Sequence, residues 1–167
     1  MTEPRAARAG EPDTGLDWRF RRFDDLTPRE LQAIYRARQE VFVLEQQCLY
    51  LDVDGLDERA FHLAGWSADG VRVLAYARLL EPGAKYEEAS IGRVVTTAPA
   101  RGRGIGRVLV GRAIGHAEDA WPGVALRISA QSRLDTFYAA FGFVPVGAPY
   151  LEDGIDHTEM LRAATAR

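Results

Sequence analysis

The chain has 167 residues, a formal net charge of −3 and one cysteine, Cys48. A chain of this length fits one domain of ordinary size, which buries enough apolar surface to fold without covalent cross-links. The acidic balance argues against nucleic acid as a main partner. A single cysteine excludes an intramolecular disulfide and a cysteine metal site.

The first 15 residues are polar and rich in Pro, Gly and Ala, so we expect a flexible tail over 1–15 and one domain over 16–167. This tail lacks the apolar core of a secretory signal, and no run in the sequence approaches the length of a membrane span. We therefore expect a cytoplasmic protein without a membrane partner. The preference for Arg over Lys, with many alanines, is typical of a GC-rich bacterial genome.

The first predicted elements are a strand and a capped helix. Alternating Trp18 and Phe20 predict a strand over 16–23. Thr27, followed by proline and then by Glu30, has the pattern of a capping box, which predicts that a helix begins there. A helical stripe of apolar residues continues this helix to Phe42 or Glu45.

The rest of the chain predicts a mixed sheet covered by helices on both faces. Strands over 61–66 and 71–80 flank a tight turn and form an antiparallel hairpin. A helix from Gly104 or Ile105 to Ala120 connects two further strands, and such a crossover makes them parallel. The remaining predicted elements are strands over 88–97, 124–130, 143–146 and 157–161 and a helix over 132–141.

A β-branched run over 91–97 leads into a glycine-rich turn and then into an amphipathic helix. Glycines let the backbone come close to a ligand because they lack Cβ and accept positive φ. The first helical turn presents unpaired N–H groups and the positive end of the helix dipole. This order of elements predicts a site for a phosphate-bearing ligand.

Three kinds of phosphate loop were compared with this turn. The dinucleotide pattern Gly-x-Gly-x-x-Gly fails, because Arg107 or Leu109 stands where its third glycine is needed. The nucleoside-triphosphate loop needs Gly-Lys-Ser/Thr, and the chain's only lysine is Lys85. The remaining pattern, Arg-x-x-Gly-x-Gly, is met by Arg101, Gly104 and Gly106.

This loop resembles the acetyl-CoA pyrophosphate loop of the GNAT N-acetyltransferases. The stretch over 128–143 is similar to that family's strand, helix and Tyr-x-x-x-Gly-Phe segment, with Tyr138 as its tyrosine. A third stretch, over 38–54 with His62 beyond it, resembles the ElaA-like branch. Together these likenesses cover residues 17–162.

The resemblance implies a GNAT-like three-layer α/β/α fold of the mixed α+β type. Its sheet is expected to have six to seven strands, mostly antiparallel, with one splayed parallel pair. The implied activity is direct transfer of an acetyl group from acetyl-CoA to a primary amine of a small molecule or peptide, without a metal. Homodimers are common in the family. The alternative is a non-catalytic acyl-CoA-binding sensor or interaction module.

The resemblance also implies which residues contact acetyl-CoA. Backbone of the fourth strand is expected to follow the pantetheine arm, and one of its N–H groups to hold the thioester carbonyl. Gln131 falls near an asparagine of many family members, and Leu134 replaces a common alanine. The expected contacts are Val94, Val95, Thr96, Arg101, Gly102, Arg103, Gly104, Ile105, Gly106, Arg107 and Gln131.

Tyr138 is the expected proton donor to the departing thiolate. A tyrosine stays protonated at neutral pH, so it can donate a proton. The alternative is that Tyr138 only fills the core beside Phe137 and Phe141.

The acceptor side is predicted around an acidic cluster between the first helix and the hairpin. An acidic rim suits a cationic amine, and a solvated acidic loop is the alternative. A calcium loop fails on the spacing of its glycine. The expected substrate contacts are Gln46, Asp52, Asp54, Asp57 and Arg93.

Two residues are predicted as catalytic base for the acceptor ammonium: Glu45 or His62, directly or through water. His157 is ranked below them, because a lone histidine in a strand is more often structural. Arg93 is unusual in an apolar strand, and it either pairs with one of the carboxylates or lies at the sheet edge. Cys48 is interpreted as a packing or substrate-lining residue, because the family transfers the acyl group directly.

Overall fold

The computed structural model describes residues 12–165, and one mixed sheet runs through this part of the chain. The sheet has eight strands in the order β1-β2-β3-β4-β5-β8-β6, with β7 paired to β8. The strands are β1 (Asp17–Arg22), β2 (Ala60–Trp66), β3 (Val73–Leu80), β4 (Ala89–Thr96), β5 (Leu126–Gln131), β6 (Val144–Pro145), β7 (Tyr150–Glu152) and β8 (Ile155–Arg162). The α-helices are α1 (Pro28–Gln39), α2 (Ile105–Ala120) and α3 (Asp135–Ala139).

The predicted capping box begins α1. The Thr27 hydroxyl accepts from the Glu30 backbone N–H at 3.2 Å, and the Thr27 N–H donates to the Glu30 carboxylate at 2.9 Å. The α-helix ends at Gln39 and continues as a π-helical turn over Glu40–Glu45. The predicted end near Glu45 is therefore correct for the helical segment as a whole, whereas its wider last turn was not predicted.

Two helices cover opposite faces of the sheet and bury two separate cores. On one face α2 packs against β3 and β4, with Leu109 and Ala113 fully buried among residues such as Leu79. On the other face α1 packs against β3, with Ile34 and Tyr76 at the centre of the second core. This confirms the predicted three-layer arrangement.

The sheet is antiparallel except where β4 and β5 pair in parallel. Their pairing joins Ala89 to Leu126 and Ser90 to Arg127, and it ends there. Beyond these two pairs the strands diverge, as a splayed pair is expected to do.

The C-terminal third differs from the sequence prediction. The described residues contain eight strands rather than six or seven, because β7 was not predicted. Asp153 and Gly154 connect β7 to β8 with positive φ of 49° and 76°. An Asp-Gly pair at a two-residue turn is a strong hairpin signal. The helix predicted over 132–141 is a 3₁₀ turn, Ser132–Leu134, followed by the short α3.

The predicted N-terminal tail is only partly described, since residues 1–11 lie outside the described range. Thr14, within the predicted tail, is buried and accepts a hydrogen bond from the Trp18 indole at 3.0 Å. The packed part of the chain therefore begins before residue 16.

Candidate active site

A bulge in β4 marks the place where the strand leaves β5. Gly92 pairs with Arg78 of β3 and Val95 pairs with Tyr76, so two β4 residues oppose one β3 residue between these pairs. Arg93 occupies the bulge with φ of 50°, in the left-handed region that few non-glycine residues adopt. A bulge of this kind redirects the strand and the side chains that follow it.

The gap between β4 and β5 opens into a cleft of about 870 Å³. The cleft is bounded by the two splayed strands, the π-helical turn after α1, α3 and the β7–β8 hairpin. Of the predicted site residues, it brings together Glu45, Gln46, Asp54, Arg93, Val94, Val95, Thr96, Arg101, Gln131 and Tyr138. Those outside its lining are Asp52, Asp57, His62, Gly102, Arg103, Gly104, Ile105, Gly106 and Arg107.

The glycine-rich loop leads from the cleft to the first turn of α2. Gly102 and Gly104 both have φ of 73°, and Gly104 is the N-cap of the helix. A Cβ built on Gly106 would have its nearest side-chain neighbours, Phe137 and Thr96, at 4.0 Å. The backbone at the helix start is therefore open, and its N–H groups and dipole fit a pyrophosphate group.

The arginines of this loop have different partners. Arg101 donates from Nε to the Thr96 carbonyl at 3.0 Å, which fastens the loop to the end of β4, and its Nη2 lies 2.6 Å from Glu45 Oε2. Arg103 donates to the carbonyl of Thr14 at 3.1 Å. The Arg107 guanidinium stacks over the Phe137 ring at 5.7 Å. Arg101 thus braces the loop against the end of β4.

Tyr138 both packs in the core and lines the cleft. Its ring is 6% exposed and meets Phe137 and Phe143 edge-on, at centroid distances of 5.1 and 6.1 Å. Its hydroxyl makes no hydrogen bond with any residue in 12–165. Burial raises the pKa of Tyr138 to about 12, so the hydroxyl keeps its proton at neutral pH.

The predicted acidic rim is wrong, because arginines neutralise the cluster. Arg38, itself fully buried, donates to Asp52 at 2.9 Å and to Asp57 at 2.7 Å. Arg78 donates to both oxygens of Asp54 at 2.7 and 2.8 Å. With Arg93 as the third cation, three aspartates face three arginines and no net charge is left for an acceptor amine.

The pKa values of these aspartates follow from the arginines. Burial by itself would raise the pKa of Asp57, but the hydrogen bonds and charges of Arg38 and Arg78 outweigh it and hold this pKa below its usual range. The same balance, with Arg78 and Arg93 as cations, depresses the pKa of Asp54. Both carboxylates are therefore ionised and unsuited to take a proton at neutral pH.

His62 is also misassigned as a base, because it lies in the core and not in the cleft. The residue is 1% exposed, with Nδ1 2.8 Å from the Tyr76 hydroxyl and Nε2 3.0 Å from the Asp57 carbonyl. Since a carbonyl only accepts, Nε2 carries the hydrogen and Nδ1 accepts from Tyr76. Burial lowers the pKa of His62, which keeps the ring neutral.

Cys48 is 5% exposed and lines the cleft, in agreement with its interpretation as a lining residue. Burial raises the pKa of its thiol. A thiol that stays protonated is a poor nucleophile.

The sequence prediction missed part of the cleft wall. Lys85 lies on the loop after β3, and Glu152 and Asp153 lie on the β7–β8 hairpin. His157, which was ranked low, also lines the cleft. The Asp-Gly turn at 153–154 is the sequence signal that would have placed this hairpin.

Within residues 12–165 no group of His, Cys, Asp and Glu is arranged to hold a metal ion. In the same range, none of the helices is both long and apolar enough to cross a bilayer.

The chain as a whole is similar to known proteins. A model of the acetyltransferase (GNAT) domain matches residues 32–163, which places the chain in a class of acyltransferases that use acyl-CoA. The UPF0039 protein sll0451 of Synechocystis sp. is 45% identical over 146 residues, covering 87% of this chain and 94% of that protein.

Two crystal structures are similar over nearly their whole length. An acyl-CoA N-acyltransferase from Pseudomonas aeruginosa is 46% identical, with a TM-score of 0.84, over 89% of this chain and 99% of that one. Escherichia coli ElaA is 36% identical, with a TM-score of 0.82, over 88% and 99% of the two chains. The protein belongs to the GNAT acetyltransferase family and to its ElaA-like branch, which confirms the resemblance drawn from the sequence.

Proposed function

We propose that the protein transfers the acetyl group of acetyl-CoA to a primary amine of a small molecule or peptide, with both substrates in the cleft at once. The observation that carries this proposal is the convergence of three features on one cleft. These are the splayed edge of β4, the loop arginine Arg101 and the hydroxyl-bearing side chain of Tyr138.

Positioning is the main contribution of the chain to this reaction. The loop after β4 offers N–H groups to the pyrophosphate, and the β4 backbone over 94–96 offers hydrogen bonds to the pantetheine arm. An N–H of this segment polarises the thioester carbonyl, where negative charge develops during attack. Holding two reactants in a productive geometry contributes roughly 7–11 kcal/mol to lowering a bimolecular barrier.

The proton balance of the reaction assigns a role to Tyr138. The amine nitrogen forms a bond to the thioester carbonyl carbon, and the carbon–sulfur bond breaks. The departing thiolate takes the hydroxyl proton of Tyr138, which has no competing hydrogen-bond partner among the described residues. As the amide forms, an N–H bond of the attacking nitrogen breaks and its proton returns to the Tyr138 oxygen, directly or through water. With a pKa of about 12, the tyrosine is then held in its protonated form at neutral pH.

Direct transfer between the bound substrates is supported by the state of Cys48. This thiol is the chain's only cysteine, and its raised pKa keeps it protonated. An acyl group trapped on Cys48 during turnover would contradict direct transfer.

A screen with mixed acceptors tests the proposed function. The protein is incubated with acetyl-CoA and polyamines, amino acids, aminoglycosides or peptides, and products are detected by mass spectrometry. The expected result is a mass increase of one acetyl group on a primary amine, matched by release of free CoA thiol. Tight binding of acetyl-CoA without transfer to any amine would instead support a non-catalytic acyl-CoA sensor.

A further inference from the structure

An amine acceptor arrives at neutral pH as an ammonium ion and must lose a proton before it attacks the thioester. The two residues predicted for this step, Glu45 and His62, are already bound to other groups of the protein. Glu45 pairs with Arg101, and His62 is buried with both ring nitrogens bonded. Asp54 lines the cleft but is held by Arg78. The base must therefore come from another part of the cleft wall.

His157 on β8 has the hydrogen-bonding pattern of a base. Its strand position lies opposite Gln131 of β5 on one side and Tyr150 of β7 on the other, and the residue lines the cleft. Nδ1 lies 2.8 Å from the carbonyl oxygen of Ile155. Because a carbonyl only accepts, the hydrogen of the neutral ring is on Nδ1. The lone pair is consequently on Nε2.

A carboxylate stands beside this lone pair. Glu152 Oε2 lies 3.8 Å from His157 Nε2, and the side chain of Glu152 is 53% exposed. The two residues are held together by the β7–β8 hairpin, whose turn consists of Asp153 and Gly154. Within residues 12–165 Glu152 has no arginine or lysine within salt-bridge distance, in contrast to Glu45 and Asp54. Lys85 lines the same cleft and interacts with Glu152 only at longer range. The carboxylate can therefore attract an ammonium ion and stabilise an imidazolium.

We propose that His157 is the catalytic base and that Glu152 draws the acceptor ammonium to it, an assignment that rests on the proposed transferase function. An N–H bond of the ammonium breaks and an Nε2–H bond forms on His157, which leaves the nitrogen lone pair free to attack the thioester carbonyl. The imidazolium formed on His157 then faces Glu152. The anionic side of the acceptor site is accordingly the β7–β8 hairpin, and not the neutralised cluster at 52–57.

The proposal is tested with His157→Gln. His116→Gln is the matched control, because His116 lies on α2 against Phe20 and outside the cleft lining. Transfer is measured at pH 7 to the best primary amine of the acceptor screen and to hydroxylamine, a nucleophile that is already neutral. We expect His157→Gln to lower kcat/KM for the amine by about 10²-fold or more, a typical contribution of a general base. Transfer to hydroxylamine and the Kd for acetyl-CoA should stay within a few-fold of the control, and Glu152→Gln should give a smaller loss.

Two outcomes of these kinetics would overturn the proposal. One is equal amine transfer by His157→Gln and His116→Gln. The other is an equal loss for the amine and for hydroxylamine, which would indicate a structural role of His157. Absence of transfer by the wild-type protein would be a failure of the proposed function and is seen before any variant is compared.

Nitrogen-15 NMR of the three imidazole rings tests the geometry without any acceptor. We expect the neutral ring of His157 to carry its hydrogen on Nδ1 and that of His62 on Nε2, with assignments made from spectra of the single variants. Opposite tautomers in one protein provide an internal control. A neutral His157 ring with its hydrogen on Nε2 would overturn the proposal even if the transfer kinetics were as expected.

Discussion

The Arg93 guanidinium binds Asp52 twice: Nε donates to the carboxylate at 2.8 Å and Nη2 donates to the backbone carbonyl at 3.0 Å. Arg93 is the bulged residue of β4, whereas Asp52 belongs to the irregular segment between the π-helical turn and β2. Asp52 is also held by the buried Arg38 of α1. The contact therefore holds the bulge of β4, just before residues 94–96, against the segment that contains Asp52. Through Arg38 it also connects the bulge to α1.

Replacing Arg93 tests whether this contact holds the bulge. Arg93→Met leaves Asp52 with Arg38 and the Tyr50 hydroxyl, and it removes the side-chain contacts made by a residue whose backbone has φ of 50°. We expect the free energy of unfolding to fall by about 2–4 kcal/mol, since removing one partner of a largely buried ion pair is costly. Acetyl transfer should fall more steeply than acetyl-CoA binding, because the next residues of β4 are the ones proposed to hold the thioester.

The measurements for this variant are urea denaturation and the separation of kcat from KM. Arg29→Met is the matched control, because Arg29 is exposed in the first turn of α1. Arg93→Met with the stability and kcat of Arg29→Met would show that the bulge is maintained without the Asp52 contact.

Features set by neighbouring residues were predictable from the sequence. The capping box of Thr27 and Glu30 and the loop of Gly102 and Gly104 each depend on local hydrogen bonds or local φ, which residue type reports directly. The parallel crossover followed from the length and period of α2. These local signals were enough for the family and for the elements on which the proposed acetyl-CoA contacts lie, which remain a prediction.

The part of the cleft predicted to bind the acceptor depends on contacts between residues far apart in the chain. Arg38 and Asp57 are 19 positions apart, and Arg93 and Asp52 are 41 apart. No pattern in the sequence says whether an aspartate in a loop will face water or a buried guanidinium. The acidic cluster was therefore interpreted as an open rim, although folding neutralises it, and the carboxylate of Glu152 was overlooked.

Removing the hydroxyl of Tyr138 tests its role as proton donor. Tyr138→Phe should lower kcat by about 10²-fold, within the range that a positioned acid contributes. Stability and the Kd for acetyl-CoA should change little, because the ring contacts remain and the hydroxyl has no hydrogen-bond partner in the described chain. The measurements are steady-state transfer to the best amine of the screen and calorimetric titration with acetyl-CoA.

Tyr35→Phe is a suitable control for this variant, since the Tyr35 hydroxyl lies 3.5 Å from Asp57 and outside the cleft lining. Unchanged turnover in a Tyr138→Phe protein that still binds acetyl-CoA would restrict Tyr138 to packing.

Gly104 is required by the backbone of the loop proposed to bind pyrophosphate. Its φ of 73° costs a residue with a Cβ roughly 1–2 kcal/mol. We expect Gly104→Ala to lower the free energy of unfolding by about that amount and also to weaken acetyl-CoA binding by about tenfold or more, because relief of the strain moves N–H groups away from the anion. Thermal denaturation and acetyl-CoA titration measure the two effects.

Gly147→Ala separates backbone strain from ligand binding. Gly147 has φ of 79° in an exposed turn, with no atom within 4 Å of an added Cβ. It should lose similar stability and keep its affinity for acetyl-CoA. Equal affinity of the two alanine variants would remove the loop at 101–106 from the binding site.

His62 gives the protein a pH dependence of stability whose sign follows from its buried, neutral ring. Burial lowers the pKa of His62 below its usual value near 6.5, although the Asp57 carbonyl and carboxylate oppose this effect and the charges of Arg38 and Arg78 add to it. The unfolded chain therefore binds a proton at a higher pH than the folded one. The contribution of His62 to the free energy of unfolding is complete above about pH 6.5 and falls as the pH drops below it.

In His62→Gln, which keeps a donor for the Asp57 carbonyl, the free energy of unfolding should be lower at pH 7 and should decline less between pH 7 and pH 5 than in the wild type. Urea denaturation at a series of pH values measures both slopes, and parallel declines in the two proteins would mean that another group carries this dependence.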